Sequence, residues 1–151
     1  MSRRWKERNI QTGQSSQIGG YIVRSDEGVD DRGAEVKASS LSTGGSLAVY
    51  RSVIDGQGPP PHTHTHEDET IYVLNGVIEA ECGDEIFTAS EGDLIFLPRL
   101  FQHTFRSVDG PAEILFLVTP GRLDEFFRER DRLVAEGADP SEIAKLISSY
   151  M

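Results

Sequence analysis

From Leu47 to Val118 the chain alternates short apolar runs with polar punctuation. Leu47 to Ile54, Thr70 to Leu74, Glu85 to Ala89 and Leu94 to Leu97 all have β-branched and aromatic strand composition. Asn75-Gly76, Gly83-Asp84 and Gly92-Asp93 stand between them as turn signals. Asn75-Gly76 is the strongest of the three, so Val77 to Cys82 reads as the return strand of a hairpin. His103-Thr104-Phe105 and Ala112 to Val118 supply the last strands. Upstream, Tyr21 to Arg24 is a short strand candidate, and Gly28 to Gly45 reads as loop with one short strand near Glu35 to Ala38. Strands at intervals of about 8 to 12 residues indicate a β-sandwich or barrel.

After Thr119 the period changes. Thr119-Pro120 has the form of a helix start, with threonine as cap and proline at the first helical position. Leu123, Phe126, Phe127, Arg130 and Leu133-Val134 then recur at helical spacing, and Gly137 ends the run. Asp139-Pro140-Ser141-Glu142 is a second start with a capping-box carboxylate, followed by a stripe of Ile143, Leu146, Ile147 and Tyr150. The predicted architecture is all-β with C-terminal helices that cover the barrel or a neighbouring subunit. Its parts are a flexible arm at 1–20, a barrel at 21–120 and a helical extension at 121–151. The arm has little to pack beyond Trp5 and Ile10, unless it orders against a partner subunit.

Charge narrows the partners. The chain has 151 residues, 15 basic and 25 acidic, for a net charge of −10. Between Ser52 and Pro98 there is no lysine or arginine. Such a field repels nucleic acid and anionic membranes and attracts cations, although most of these acids read as solvated surface. No apolar run approaches the ~20 residues that cross a bilayer. The basic start, Met1 to Arg8, lacks a following apolar core, so a cytoplasmic location is expected. Cys82 is the only cysteine, which excludes an intrachain disulfide and reads as a packed or half-buried thiol.

The chemistry lies in the imidazoles. All four histidines fall in one pattern: His62, His64 and His66 after Pro59-Pro60-Pro61, and His103 alone downstream. His62 and His64 share a parity, so on an extended segment both rings point to one face. Glu69 is an odd step from His64, so the chain must bend within Thr65 to Asp68 to bring that carboxylate back. His66 shares the parity of His64 and could compete or stand behind it. Imidazoles and a carboxylate make a mixed nitrogen and oxygen site for one divalent transition metal: Fe, Ni, Mn, Cu or Zn.

Gly56 is followed by five residues and His62, one residue and His64, four residues and Glu69, then six residues and Gly76. Gly92 is followed by five residues and Pro98, with His103 five positions on. This spacing resembles the two motifs of the cupin superfamily over roughly Ser46 to Gly121. The second motif departs from the family at Leu100, where cupins usually have glycine, and at Ser107, where they usually have asparagine. The resemblance implies a small jelly-roll barrel and a metal held by His62, His64, Glu69 and His103. The stretches Pro59 to Gly76, Pro98-Arg99 and Thr119 to Phe127 further resemble the quercetin 2,3-dioxygenase-like branch of single-domain cupins. That branch implies an aromatic enediol or hydroxyketone substrate, O₂ as co-substrate, and Glu69 as both ligand and base.

Two other functions remain open on the same residues: a non-oxidative isomerase, cyclase or lyase, and a small-molecule-binding cupin without catalysis. Tyr50, Phe101 and Phe105 are the substrate-pocket candidates. Phe101 and Phe105 share parity with His103, and Tyr50 lies on the strand leading to the first motif. Arg99 and Arg106 flank His103, where they balance the acidic field or meet an anionic substrate group. Large side chains at both parities of Thr70 to Leu74 mean both faces of that strand are covered, so a homodimer is expected.

Overall fold

In the computed structural model, residues 19–31 and 33–150 are described; the arm with Trp5 and Ile10 lies outside them, apart from Gly19 and Gly20. Among the described residues there are seven strands and three helices. They are β1 (Val29–Asp31), β2 (Ala34–Ala38), α1 (Ser40–Thr43), β3 (Ala48–Ile54), β4 (Asp68–Cys82), β5 (Glu85–Ser90), β6 (Leu94–Leu97), β7 (His103–Thr119), α2 (Leu123–Ala135) and α3 (Pro140–Tyr150). The strand order is β1-β2-β3-β7-β4-β5, with β6 paired to the first half of β4 and every pairing antiparallel. This is the expected small jelly roll with C-terminal helices.

The central pair, β4 and β7, sets the shape. The hairpin expected at Asn75-Gly76 does not form. Gly76 does take a left-handed φ of 85°, but the chain runs on through it as a bulge, because Val77 to Cys82 finds ladder partners on both sides in β5 and β7. A side chain at Gly76 would also meet the backbone of Ala112 at 2.8 Å. The two last strands expected from sequence are likewise one, β7, which bends at Asp109 (φ 59°) and Gly110 (φ 119°). The bulge changes which parity faces inward. Glu69, Ile71 and Val73 are buried before it, Ile78 and Ala80 after it. On β7 the buried set changes from His103, Phe105 and Ser107 to Ala112, Ile114 and Val118. Both strands thus turn the same corner, and their two halves face one another across the barrel.

Two apolar clusters fill the interior. One, between the halves of β4 and β7, is built on Ile71, Val73, Ile78, Leu97 and Ile114. The other joins Val36, Tyr50 and Val118 to Leu123 and Phe126 of α2, with Leu146 and Tyr150 of α3 packed against it. The C-terminal helices therefore cover this chain's own barrel.

Three local expectations are corrected. Tyr21 to Arg24 is not a strand: the carbonyls of Arg24 and Ser25 accept from Lys37 Nζ at 3.0 and 3.4 Å, so the segment wraps an ammonium. The stretch read as loop contains α1, whose cap Ser39 and residue Ser42 form a reciprocal capping box. Helix α2 starts at Leu123 rather than Pro120. Gly121 donates to the Gly45 carbonyl at 2.9 Å and lies so close to Leu47 that no side chain would fit there, so the chain bends at Pro120-Gly121 against Leu47 before the helix starts. The start of α3 is as expected: Glu142 accepts from the Asp139 amide at 3.1 Å and Asp139 from that of Ser141 at 2.8 Å. Cys82 is a half-buried free thiol, with its pKa raised by burial and by Glu85.

Candidate metal centre

The segment before the histidines lies along β7 without forming a regular ladder, since Pro59, Pro60 and Pro61 have no amide hydrogen to donate. It is pinned at several points instead. Ser107 N donates to Gly56 O at 2.9 Å, Gly58 N to Phe105 O at 3.1 Å, and Thr104 Oγ1 to Pro59 O at 2.6 Å. Gly58 is required here, because an added Cβ would sit 2.3 Å from the Phe105 carbonyl oxygen. His62 and His103 then exchange backbone hydrogen bonds at 3.0 and 2.9 Å. The chain bends at Thr65 and His66, as the odd spacing requires, and β4 begins at Asp68.

These constraints bring His62, His64, Glu69 and His103 together. Their ligand atoms all lie within 4.8 Å of one another. Glu69 pairs with Val118 in the ladder and His103 with Cys82, at opposite ends of β4, yet Glu69 Oε2 is 3.1 Å from His103 Nε2. Only the corner at Gly76 allows that contact. His66 is exposed, hydrogen-bonds to Thr65 Oγ1 through Nδ1 at 2.7 Å, and is not part of the cluster.

The rings are held from behind. Nδ1 of His62 donates to Pro60 O at 2.9 Å and Nδ1 of His103 to Phe101 O at 3.0 Å. A carbonyl can only accept, so both Nδ1 atoms carry hydrogen and, in the neutral rings, Nε2 presents its lone pair to the centre. His64 Nε2 and Glu69 Oε1 are 2.6 Å apart, both sealed from solvent, and neither makes a hydrogen bond. A buried imidazole nitrogen and a buried carboxylate oxygen this close, with no hydrogen bond between them, are satisfied by a cation that both would ligate. The donor set therefore fits a divalent metal, with three imidazole nitrogens and one carboxylate.

The carboxylate and the imidazoles are also coupled electrostatically. Burial would raise the pKa of Glu69, but the facing imidazoles of His103, His62 and His64 outweigh it and hold the carboxyl well below the usual range. For His62, burial opposes protonation and contact with Glu69 overcomes it, so its pKa is raised.

Sequence reasoning missed Glu67. It is buried, and desolvation raises its pKa against the lowering influence of His64 and His66. Its Oε2 lies 3.9 Å from His64 Nδ1, and neither atom has a hydrogen-bond partner. Glu67 thus stands behind His64, as Pro60 O and Phe101 O stand behind the other two rings.

The centre opens on a cavity of about 520 Å³, within the usual size of small-molecule sites. Tyr50 and Phe105 line it, with Ile54, Ile114 and Phe116 of the barrel. Phe101 does not line it; it is 53% exposed and rests beside Gly83. Parity from His103 does not reach it, because it precedes β7 in a loop where Leu100 has a left-handed φ of 69°. Helices α2 and α3 add Leu123, Phe126, Phe127, Arg130 and Ile147 to the wall. Arg99 and Arg106 contribute nothing to the cavity: they pair on the exterior with Asp68 at 2.8 Å and Glu79 at 2.6 Å.

Residues 50–118 match the family described as the cupin domain. Solved structures agree on the fold. KdgF from Halomonas sp. superposes with a TM-score of 0.53 and 23% identity, covering 63% of this chain and 87% of that one. A putative ethanolamine utilization protein Q from Salmonella typhimurium gives 0.50 and 22%, covering 58% and 68%. A comparison with curated protein sequences gives no match. The two departures from the second cupin motif are accommodated. Leu100 adopts the left-handed backbone usually given to glycine, and Ser107 Oγ accepts from the Gly56 amide at 2.7 Å. Among the described residues, no helix is long and apolar enough to cross a membrane.

Proposed function

We propose that this chain is a cupin and a metal-dependent enzyme acting on a small aromatic or enediol substrate, with dioxygenation as its reaction. The observation that carries the reading is the convergence of four candidate ligands, three of which, His62, His64 and Glu69, stand on the wall of an apolar, aromatic-lined cavity. A divalent ion bound there would supply Lewis acidity toward a substrate oxygen and, if redox-active, a meeting point for substrate and O₂. The protein supplies the rest. Tyr50, Phe105 and Phe116 offer ring faces and edges to an aromatic substrate and displace water from it. Glu69 lies on the cavity wall, where a carboxylate oxygen can receive a substrate proton.

The test is oxygen consumption by metal-replete protein with flavonols and related enediols. Substrate-dependent O₂ uptake supports the reading. Turnover without O₂ would replace it with an isomerase, cyclase or lyase, and binding without turnover would leave a small-molecule receptor.

The assembly proposed is a homodimer. Tyr72, Leu94 and Phe96 stand side by side on the outer face of β4 and β6, at 38%, 60% and 54% exposure. An apolar face of this kind asks for cover. Light scattering should give twice 16.7 kDa; a monomer at micromolar concentration rules the dimer out.

A further inference from the structure

Apart from the ligand set, the cavity wall carries one charged side chain, Arg130 of α2. The guanidinium carbon lies 5.2 Å from the ring centroid of Phe127 and 6.0 Å from that of Phe126. The aromatic shelf orients a planar cation while leaving its edge for hydrogen bonds. Its ion pair with Asp131 runs through one oxygen, Oδ1, at 3.1 Å, and Asp131 is 55% exposed. Adjacent helix residues do not face each other, and a solvated partner is largely screened, so this pair holds the guanidinium weakly. Arg128 and Arg132 on the same helix are by contrast each tied along the helix, to Asp124 and to Glu129 and Glu136. A chain of net charge −10 has thus placed a cation in an otherwise apolar wall.

We infer that the ligand of this cavity carries a carboxylate seated on Arg130, joined by an apolar, ring-sized body to the oxygen that meets the metal centre. This rests on the reading of the cavity as a substrate site and names the substrate class within it. The planar guanidinium matches a carboxylate through two parallel N–H···O bonds, and the aromatic walls fit the body between the two polar ends. Two polar contacts at separate points of one cavity also fix which end of the ligand meets Glu69.

The test uses zinc-loaded protein, which is redox-silent, with 3-phenylpropanoate and its neutral analogue 3-phenylpropanamide as probes in titration calorimetry. The carboxylate is expected to bind about 10-fold tighter than the amide or better, as suits hydrogen bonds between charged groups. Arg130→Gln should erase that preference and leave amide affinity within about twofold, while Arg130→Lys should keep part of it. Thermal melts and zinc content establish that each variant is folded and loaded. Equal affinities in the wild type, a preference that survives in Arg130→Gln, or no binding of either probe overturns the inference. A protein that holds no metal yet keeps the charge preference defeats the metal-enzyme reading alone. A metal-loaded protein that binds both probes equally defeats this inference alone.

Discussion

The two ends of the cavity are built differently. The metal end is made by strands and is sealed: His64, Glu69 and His103 are each about 1% exposed, and two of the three rings are fixed by backbone carbonyls. Another part of the wall is made by α2 and α3, where Phe127 and Arg130 are partly exposed and Ile147 is 40% exposed. No side chain of α3 is fully buried. Reaction chemistry needs atoms held within tenths of an ångström, and a ladder of backbone hydrogen bonds provides that. Selectivity needs a surface that can change without disturbing the ladder, and an added helical layer provides that.

The largest test of this division is His64→Ala. Metal content measured by elemental analysis should fall from one ion per chain to none, while far-ultraviolet circular dichroism stays that of the wild type. Full retention of metal would mean the centre is not the one described. Next is Glu69→Gln in protein loaded with metal to wild-type content. If Glu69 receives the substrate proton, turnover falls by about 10²–10⁴-fold. Turnover near the wild type would leave it as a ligand only.

Phe126→Ala probes the helical side. This ring is 3% exposed and packs on Phe127 and Tyr150, so urea unfolding should show a loss of about 3 kcal/mol or more. Metal affinity should stay within about twofold, since Phe126 touches none of the four ligands and reaches their loop only through Tyr150 and Thr65. A large loss of metal would show that the two ends are one cooperative unit. Glu67→Gln tests the strand side from behind. Removing an outer carboxylate from a ligand histidine weakens metal binding by about 10–100-fold, read by competition with a chelator. Unchanged affinity would assign Glu67 to packing alone.

The smallest expected effect is on Leu100→Gly. The leucine is 68% exposed and holds φ 69°, so it loses almost no burial and sheds strain. Against the extra chain entropy of glycine, the net gain should be about 0.5–1 kcal/mol in urea unfolding, with metal affinity unchanged. A destabilised variant would show that the side chain packs on something, such as a second copy of the chain.

Much of the metal end was legible in the residues. His62, His64, Glu69 and His103 announce themselves by type and spacing, and the bend at Thr65-His66 follows from parity. Asn75-Gly76 misled because a dipeptide reports a local φ, which Gly76 does adopt, but whether the chain then reverses depends on strands far away in sequence. Glu67 gave no sign, since its burial depends on what is folded around it. Arg130 was visible only as one member of a helical stripe. Its place in the cavity follows from how α2 packs on Tyr50 and Val118, a long-range fact with no local signature. Phe101 failed for a related reason: parity holds within a strand and lapses in the loop before it.

The corner at Gly76 also bears on how this chain can vary in length. The residues before it face inward on odd numbers and those after it on even numbers. Val73 and Ile78 stand five residues apart, an odd step that plain alternation would place on opposite faces. Losing one residue between them would leave an even step, which an unbulged strand satisfies by itself. Among descendants of this sequence, loss of one residue at that point should therefore go with loss of the bulge, and loss of two should keep it.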